Sequence, residues 1–249
     1  MNPAGEQRPV ALVTGAAKRV GAAIARALHA AGYDLALHYR SSRAEMAALC
    51  AELEGRRPGS TLAIAADLAD VARLPGIVDA CLARYARLDA LVHNASAFFA
   101  TPLAAATPAQ WEELFASNAR APFFLSQAAA PHLKKVQGSI VSIVDIYAER
   151  PLAQHPLYCM AKAALAMMTL ALARELAPEV RVNAVAPGAV LWPEGGKPLA
   201  ERDRLIARTP LQRAGAPEDV AAAVLFLLRD AGFTTGAVLK VDGGRSLAM

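Results

Sequence analysis

The stretch Thr14-Gly-Ala-Ala-Lys-Arg-Val-Gly21 decides the fold. It follows an apolar run, residues 10–14, that reads as a strand, and it opens a helical stretch at 21–31. Gly15 permits a tight turn, and backbone amides at a helix start face an anion with the helix dipole behind them. Gly21 would let the helix lie close to the sheet. Outward from this turn the same alternation repeats. Strands are expected at 35–39, 62–66, 90–93, 139–144, 181–185 and 237–241. Helices are expected at 42–54, 71–87, 119–136, 157–177 and 218–228. Such alternation means parallel strands with helices on both faces. The expected architecture is α/β: a single doubly wound domain over residues 1–249 with a seven-stranded, mostly parallel sheet. The one irregular stretch is 187–200, punctuated by Pro and Gly. It leaves the carboxyl end of a strand, where ligands sit in such sheets, so a substrate loop is expected at about 187–210.

Composition narrows the function classes. The 249 residues are 55% hydrophobic and 19% charged, a globular balance. No run of 18 uninterrupted apolar residues occurs, so no membrane span is expected, and the first ten residues lack an apolar signal core. Cys50, Cys81 and Cys159 show no CxxC spacing, which points to reduced thiols and a cytoplasmic location. The net charge of +4 contains no run of five basic residues, so no nucleic-acid partner is expected. The small excess suits an anionic ligand held in a cleft. The five histidines lack metal-ligand spacing and no GxSxG elbow exists, which argues against a catalytic metal and against a hydrolase.

A strand–turn–helix of this kind, at this place, reads as a dinucleotide site. An NAD site carries an acid at the end of its second strand. Asp34 begins that strand instead, and at its far end stand His38, Tyr39, Arg40, Ser41 and Ser42. Arg40 and the hydroxyls suit a 2′-phosphate, Arg19 adds charge, and the expected cofactor is NADPH. Asp67, with Leu68 beside it, ends the third strand and is placed for the adenine amine. Tyr158 and Lys162 stand one helical turn apart on one face. Burial near a cationic nicotinamide would lower the phenol pKa from about 10, and a tyrosine poised nearer neutrality donates a proton as hydride arrives.

These motifs resemble the short-chain dehydrogenase/reductase family, which implies a Rossmann-type domain. The turn matches that family's TGxxxGxG with Arg19 in place of the middle glycine. Asn94 and Ala95 resemble its cleft-lining pair. Asn118, in SNARAPFFLSQA, resembles the asparagine that holds a water linking the lysine to solvent, although a bare asparagine there could equally cap a helix. The family usually carries a serine thirteen residues before the tyrosine; here that residue is Asp145, and Ser139 and Ser142 lie too early. A serine donates to a ketone oxygen becoming an alkoxide, whereas an ionised carboxylate would repel it. The carboxylate would favour a C=N bond gaining a proton, or a ring amine donating to it. Asp145 therefore points to a nitrogen heterocycle. Two alternatives stay open: a protonated Asp145 could donate as serine does, or the site could be degenerate.

Ser96 and Phe98 offer a hydroxyl and a ring for a flat substrate, though Phe98 and Phe99 could also be core or oligomer contacts. Trp111 reads as packing. Taken together, TGAAKRVG, HYRSS, HNASAFFATPL, SIVDIYAERPL, the Tyr158–Lys162 pair and NAVAPGAVLWPE look like the pteridine reductases. That resemblance implies a homotetrameric, NADPH-dependent reductase of dihydropterins, with oxidised pterins or dihydrofolate as further substrates. It implies a catalytic set of Asp145, Tyr158, Lys162 and Asn118. The implied cofactor set is Gly15, Lys18, Arg19, Val20, Gly21, His38, Tyr39, Arg40, Ser41, Asp67, Leu68, Asn94, Ala95, Ser96, Tyr158, Lys162, Pro187 and Gly188. Arg19, Ser96, Phe98, Asp145, Tyr158, Leu191 and Trp192 would meet the pterin, and the tail 241–249 resembles a subunit-contacting end. Two rivals remain: a carbonyl or 3-oxoacyl reductase of the same family, and a silent NADPH-binding regulatory module. The second predicts loss of Tyr158, Lys162 or Asn118, and all three are present.

Overall fold

Successive residues of the first strand point into two different cores, and this forces helices onto both faces of the sheet. A computed structural model describes residues 8–190 and 198–248. Its strands are β1 (Val10–Val13), β2 (Asp34–Tyr39), β3 (Thr61–Ala65), β4 (Ala90–His93), β5 (Ser139–Ile143), β6 (Arg181–Pro187) and β7 (Val238–Val241). The helices are α1 (Arg19–Ala30), α2 (Arg43–Arg56), α3 (Leu74–Tyr85), α4 (Pro108–Phe115), α5 (Ala121–Lys135), α6 (Pro156–Leu176), α7 (Leu199–Ala207) and α8 (Pro217–Arg229). Ala11 and Val13 pack with Ile24 and Leu28 of α1, Met46 and Leu49 of α2, and Val224 of α8. Val10 and Leu12 pack on the other face with Ile77 of α3, Leu125 of α5 and Leu176 of α6.

All seven strands join one sheet in the order β3-β2-β1-β4-β5-β6-β7, and every pairing is parallel. This is the Rossmann-type order, so the expected fold class is the observed one. Strand order reverses between β1 and β4, which opens a crevice at their carboxyl ends.

Several boundaries differ from expectation. Helix α1 begins at Arg19, two residues earlier than read. The expected helix 71–87 is a 3₁₀ turn, Val71–Arg73, followed by α3, with Pro75 in its first turn and Ala86 ending it in the left-handed region at φ 58°. The expected helix 119–136 is only the last part of a longer run. Helix α4 precedes it, held by a capping box: Gln110 N–H donates to Thr107 Oγ1 at 3.3 Å and Thr107 N–H to Gln110 Oε1 at 3.0 Å. A π-helical turn, Ala116–Arg120, then joins α4 to α5.

The expected substrate loop at 187–210 is not all loop. Its second half is α7, where strong helix formers carry Glu201 in the first turn and Arg204 in the last. Leu191 and Trp192 lie outside the described residues. Helix α6 is long and apolar enough by composition to cross a bilayer. Here its apolar side is spent inside the protein, with Leu165, Ala173 and Leu176 buried against the sheet.

Candidate active site

The turn after β1 is pressed against the end of β4. Gly15 takes φ +61°, and a Cβ there would meet Ala95 Cα at 2.8 Å. A Cβ on Gly21 would meet Asn94 Nδ2 at 2.6 Å. Asn94 fastens the two together: its side-chain amide donates to the carbonyls of Thr14 (3.0 Å) and Gly15 (2.9 Å). Thr14 Oγ1 accepts in return from the N–H groups of Asn94 (3.0 Å) and Ala95 (3.1 Å).

A cleft of about 650 Å³ runs from this turn over the ends of β2, β3 and β4. It is lined by fourteen of the expected cofactor residues: Gly15, Lys18, Arg19, Val20 and Gly21 from the turn, His38 and Tyr39 from the end of β2, and Arg40 and Ser41 just beyond it. Asp67 and Leu68 line it after β3, and Asn94, Ala95 and Ser96 after β4. Lys18 also pairs with Glu45 at 2.8 Å. A dinucleotide fits these residues. Glycine lets the backbone approach closely, cations stand at 18, 19 and 40, and a hydroxyl follows at 41. Glu112, Glu113, Ser117 and Arg120 also line the cleft, from α4 and the π turn, and sequence reasoning missed them. The Thr107–Gln110 capping box was the signal that could have placed that helix.

Pro187 ends β6 and Gly188 follows it, held by pairing with β7: Gly188 N–H donates to Val241 O at 3.0 Å, and a Cβ on Gly188 would meet Asp242 Cα at 2.8 Å.

The second cluster is enclosed more deeply: Tyr158 and Lys162 are buried and Asp145 is half-buried. Asp145 follows β5, and the first turns of α6 bring Tyr158 and Lys162 to it. Tyr158 OH donates to Asp145 Oδ2 at 2.8 Å, and Tyr147 N–H donates to Asp145 Oδ1 at 3.0 Å. Lys162 Nζ donates to Ile143 O at 2.9 Å and lies 5.8 Å from the centroid of the Tyr158 ring. Burial pushes the Asp145 carboxyl up, against the pull of the Tyr147 amide, the Tyr158 hydroxyl and the Lys162 ammonium. Burial brings the Lys162 ammonium down to about 8. A lowering of the Tyr158 pKa is expected beside a cationic nicotinamide; the protein's own groups act in the other direction. Burial first, and then the neighbouring carboxylate of Asp145, raise it well above the usual phenol value. The phenol therefore keeps its proton and presents it to Asp145.

Asn118 sits within the π turn and is fully buried, so it is not a helix cap. Its amide donates to Ala97 O (3.0 Å) and Leu114 O (2.9 Å), and its Oδ1 accepts from Ser96 Oγ at 2.7 Å. Ser96 lines the cleft, so this bond ties the π turn to the cleft. π turns of this sort often mark functional sites.

The adjacent phenylalanines part company. Phe99 packs with Leu114, Leu157 and Tyr158. Phe98 is 48% exposed, stacked on His155 at 4.8 Å and 13°, and edge-on to Tyr158 at 4.8 Å and 85°. His155 was not foreseen; nothing local marks it, because the stack joins segments far apart in sequence. Trp111 stacks on Phe115 at 4.2 Å and stays partly exposed.

Comparison with known proteins agrees with this geometry. A family model described as enoyl-(acyl carrier protein) reductase matches residues 15–246. Pteridine reductase 1 of Leishmania tarentolae is 39% identical over 280 residues, covering 96% of this chain and 96% of its own. A granaticin polyketide synthase putative ketoacyl reductase 2 of Streptomyces violaceoruber is 39% identical over 250 residues, with 97% of each chain covered. L-xylulose reductase of Bos taurus is 35% identical over 241 residues, covering 94% of this chain and 95% of its own.

Proposed function

The chain belongs to the short-chain dehydrogenase/reductase family of oxidoreductases, which work with a nicotinamide cofactor, and on that premise we propose that it is an NADPH-dependent pterin reductase. The substrate class is a dihydropterin taken to the tetrahydropterin, with oxidised pterin or dihydrofolate as further substrates. The observation that carries this reading is the Tyr158–Asp145 hydrogen bond, 2.8 Å long, beside the half-exposed ring of Phe98. The 39% identity to a pteridine reductase supports it.

When bound, the cofactor supplies a hydride. The protein's own residues manage the proton. Tyr158 holds it on its hydroxyl, and Asp145 accepts that hydrogen bond as a carboxylate would. A ring nitrogen that gains electron density can draw this proton, and the phenolate left behind is compensated by the buried Lys162 ammonium. Asn118 holds Ser96 at the edge of the cofactor cleft. Phe98 offers a face on which a planar heterocycle can stack. Arg40 and Ser41, at the end of β2, favour NADPH over NADH.

A homotetramer fits the surface. Helices α5 and α6 expose Phe123, Phe124, Met167 and Leu170, while α8 and β7 expose Phe226 and Leu239. Exposed apolar side chains on these elements suit contacts between copies of the chain. The three reduced cysteines suit the cytoplasm.

A second reading rests on the upward push on Asp145. A protonated Asp145 would donate as a serine does, and the enzyme would be a carbonyl reductase; two of the relatives are named as a putative ketoacyl reductase and an L-xylulose reductase. One experiment separates them. NADPH consumption is followed with dihydropterins, dihydrofolate and simple ketones, beside an NADH control. Turnover of dihydropterin with NADPH is the expected result. Turnover of ketones alone would overturn the pterin reading.

A further inference from the structure

The imidazole of His38 is built into the cofactor turn and belongs to no step of the proton chemistry. Gly15 N–H donates to its Nδ1 at 3.2 Å. A backbone N–H can only donate, so Nδ1 carries the lone pair and the proton sits on Nε2. Nε2–H then donates to Ala66 O at 3.1 Å. The backbone joins in: Ala16 N–H donates to His38 O at 2.9 Å, and Ala66 N–H to Tyr39 O at 3.1 Å. The ring is 2% exposed. One residue therefore spans the ends of three strands: the phosphate turn after β1, the ribose end of β2, and the loop after β3 that holds Asp67.

We propose that His38 is a positioning residue that sets the glycine turn and the Asp67 loop at a fixed separation through its neutral, Nε2-protonated imidazole. The proposal rests on the reading of this cleft as the NADPH site. Gly15 can take φ +61° because it is glycine, but its N–H still needs an acceptor there. The imidazole nitrogen supplies that acceptor. The second nitrogen ties the same ring to the third strand. An aliphatic residue of similar bulk would fill the space and satisfy neither partner. Protonation would place an Nδ1–H against the Gly15 N–H, two donors facing each other. Burial guards against this by holding the imidazole below its ordinary value, opposed by the Ala66 carbonyl and the Asp67 carboxylate. Lys18, Arg19 and Arg40 are the other charged groups along that part of the cleft.

The test uses the full chain and two variants, His38→Leu and His38→Asn. Asparagine keeps an acceptor near the place of Nδ1 and cannot titrate. Nitrogen-15 spectra of the wild-type imidazole should show the Nε2–H tautomer, independent of any ligand. NADPH binding, read by its fluorescence, should weaken about tenfold or more in His38→Leu, as expected for an unsatisfied buried N–H, and recover most of that loss in His38→Asn. On acidification, wild-type affinity should fall along a limb that His38→Asn lacks, while the titration of the 2′-phosphate is common to both. A Nδ1–H tautomer, or equal NADPH affinity in all three proteins, would overturn the proposal. Loss of affinity in both variants in proportion to a fall in melting temperature would reduce His38 to a packing residue. Failure of the wild type to bind NADPH would overturn the cofactor reading itself, and with it this proposal.

Discussion

The cofactor cleft and the proton centre are built by opposite means. The cleft is open and its cations, Arg19 and Arg40, are exposed; its shape comes from backbone, with two glycines pressed against the end of β4. The proton centre is buried, and its side chains carry shifted pKa values because water is excluded from them. The difference teaches where mutations should hurt. In the cleft, geometry is costly to change and single charges are cheap, because solvent screens them. In the centre, single polar atoms matter most, because nothing else nearby can replace them.

The largest effect should therefore come from one oxygen. Tyr158→Phe removes the hydroxyl that donates to Asp145 and keeps the ring that meets Phe98. Loss of a positioned proton donor costs ~10²–10⁴-fold in rate, so kcat should fall by that much while NADPH affinity stays close to wild type. Turnover near the wild-type rate would remove Tyr158 from its role and erase the contrast between the regions.

The next effect tests the cleft through its backbone. Gly15→Ala would place a methyl 2.8 Å from Ala95 Cα at a residue with φ +61°. The conformation alone costs roughly 1–2 kcal/mol, and the clash adds to it. NADPH affinity should drop more than about tenfold, with a lower melting temperature. Gly76, in α3, has nothing within 4 Å of an added Cβ, so Gly76→Ala should leave cofactor binding alone and stabilise slightly. Similar behaviour of the two variants would show that the turn is not the stiff part of the cleft.

The two regions also differ in how legible they were. The cleft could be read from sequence because its parts follow strands: TGAAKRVG after β1, HYR at the end of β2, Asp67 after β3 and Asn94 after β4. Strand ends in a parallel sheet all meet at one edge, so local motifs give a three-dimensional site. Pro187 and Gly188 follow the same rule at the end of β6, beside its pairing with β7. The proton centre was legible in membership but not in electrostatics. Spacing brought Tyr158 and Lys162 into view, and the resemblance to the family's pattern added Asp145. The upward shift of Tyr158 depends on a 2.8 Å contact and on burial, and neither is visible along a chain. Helix α4 and the π turn escaped because the apolar period of residues 103–118 is weak, although the capping box was there to read.

The pH dependence sharpens the electrostatic side of the comparison. The Lys162 ammonium titrates at about 8, below its ordinary value, so its charge is present below that pH and lost as pH rises through it. Between this value and the unfolded lysine value the unfolded chain holds the extra proton, so Lys162 costs stability at neutral pH and that cost fades as pH rises. Activity runs the other way. If the ammonium compensates the Tyr158 phenolate, kcat should fall along an alkaline limb near pH 8, about tenfold per unit. A profile flat through pH 9 would show that this charge is not used.

Asp145→Ser probes substrate class and should have a smaller effect. It replaces the carboxylate that accepts from Tyr158 and Tyr147 with a hydroxyl that can donate. The ratio of ketone to dihydropterin turnover should rise by about tenfold or more, because a developing alkoxide is no longer repelled. Competition between the two substrates at one enzyme concentration measures this ratio directly, and an unchanged ratio would refute the electrostatic argument for a nitrogen heterocycle.

The smallest effect belongs to the exposed end of the cleft. Arg40 stands just beyond β2 with its side chain in solvent, where it can meet a 2′-phosphate and little else. A screened charge-assisted bond there is worth ~0.5–1.5 kcal/mol, or about two- to thirteenfold in affinity. Arg40→Ala should therefore erode the preference for NADPH over NADH by that factor while leaving NADH affinity as it was. Because the interaction is screened, wild-type preference should shrink as salt rises, and the variant should respond less. Paired titrations of both cofactors at low and high ionic strength read the two effects together. A preference that survives both the mutation and the salt would place 2′-phosphate recognition in the backbone of the turn, and the cleft would then be a structure of geometry throughout.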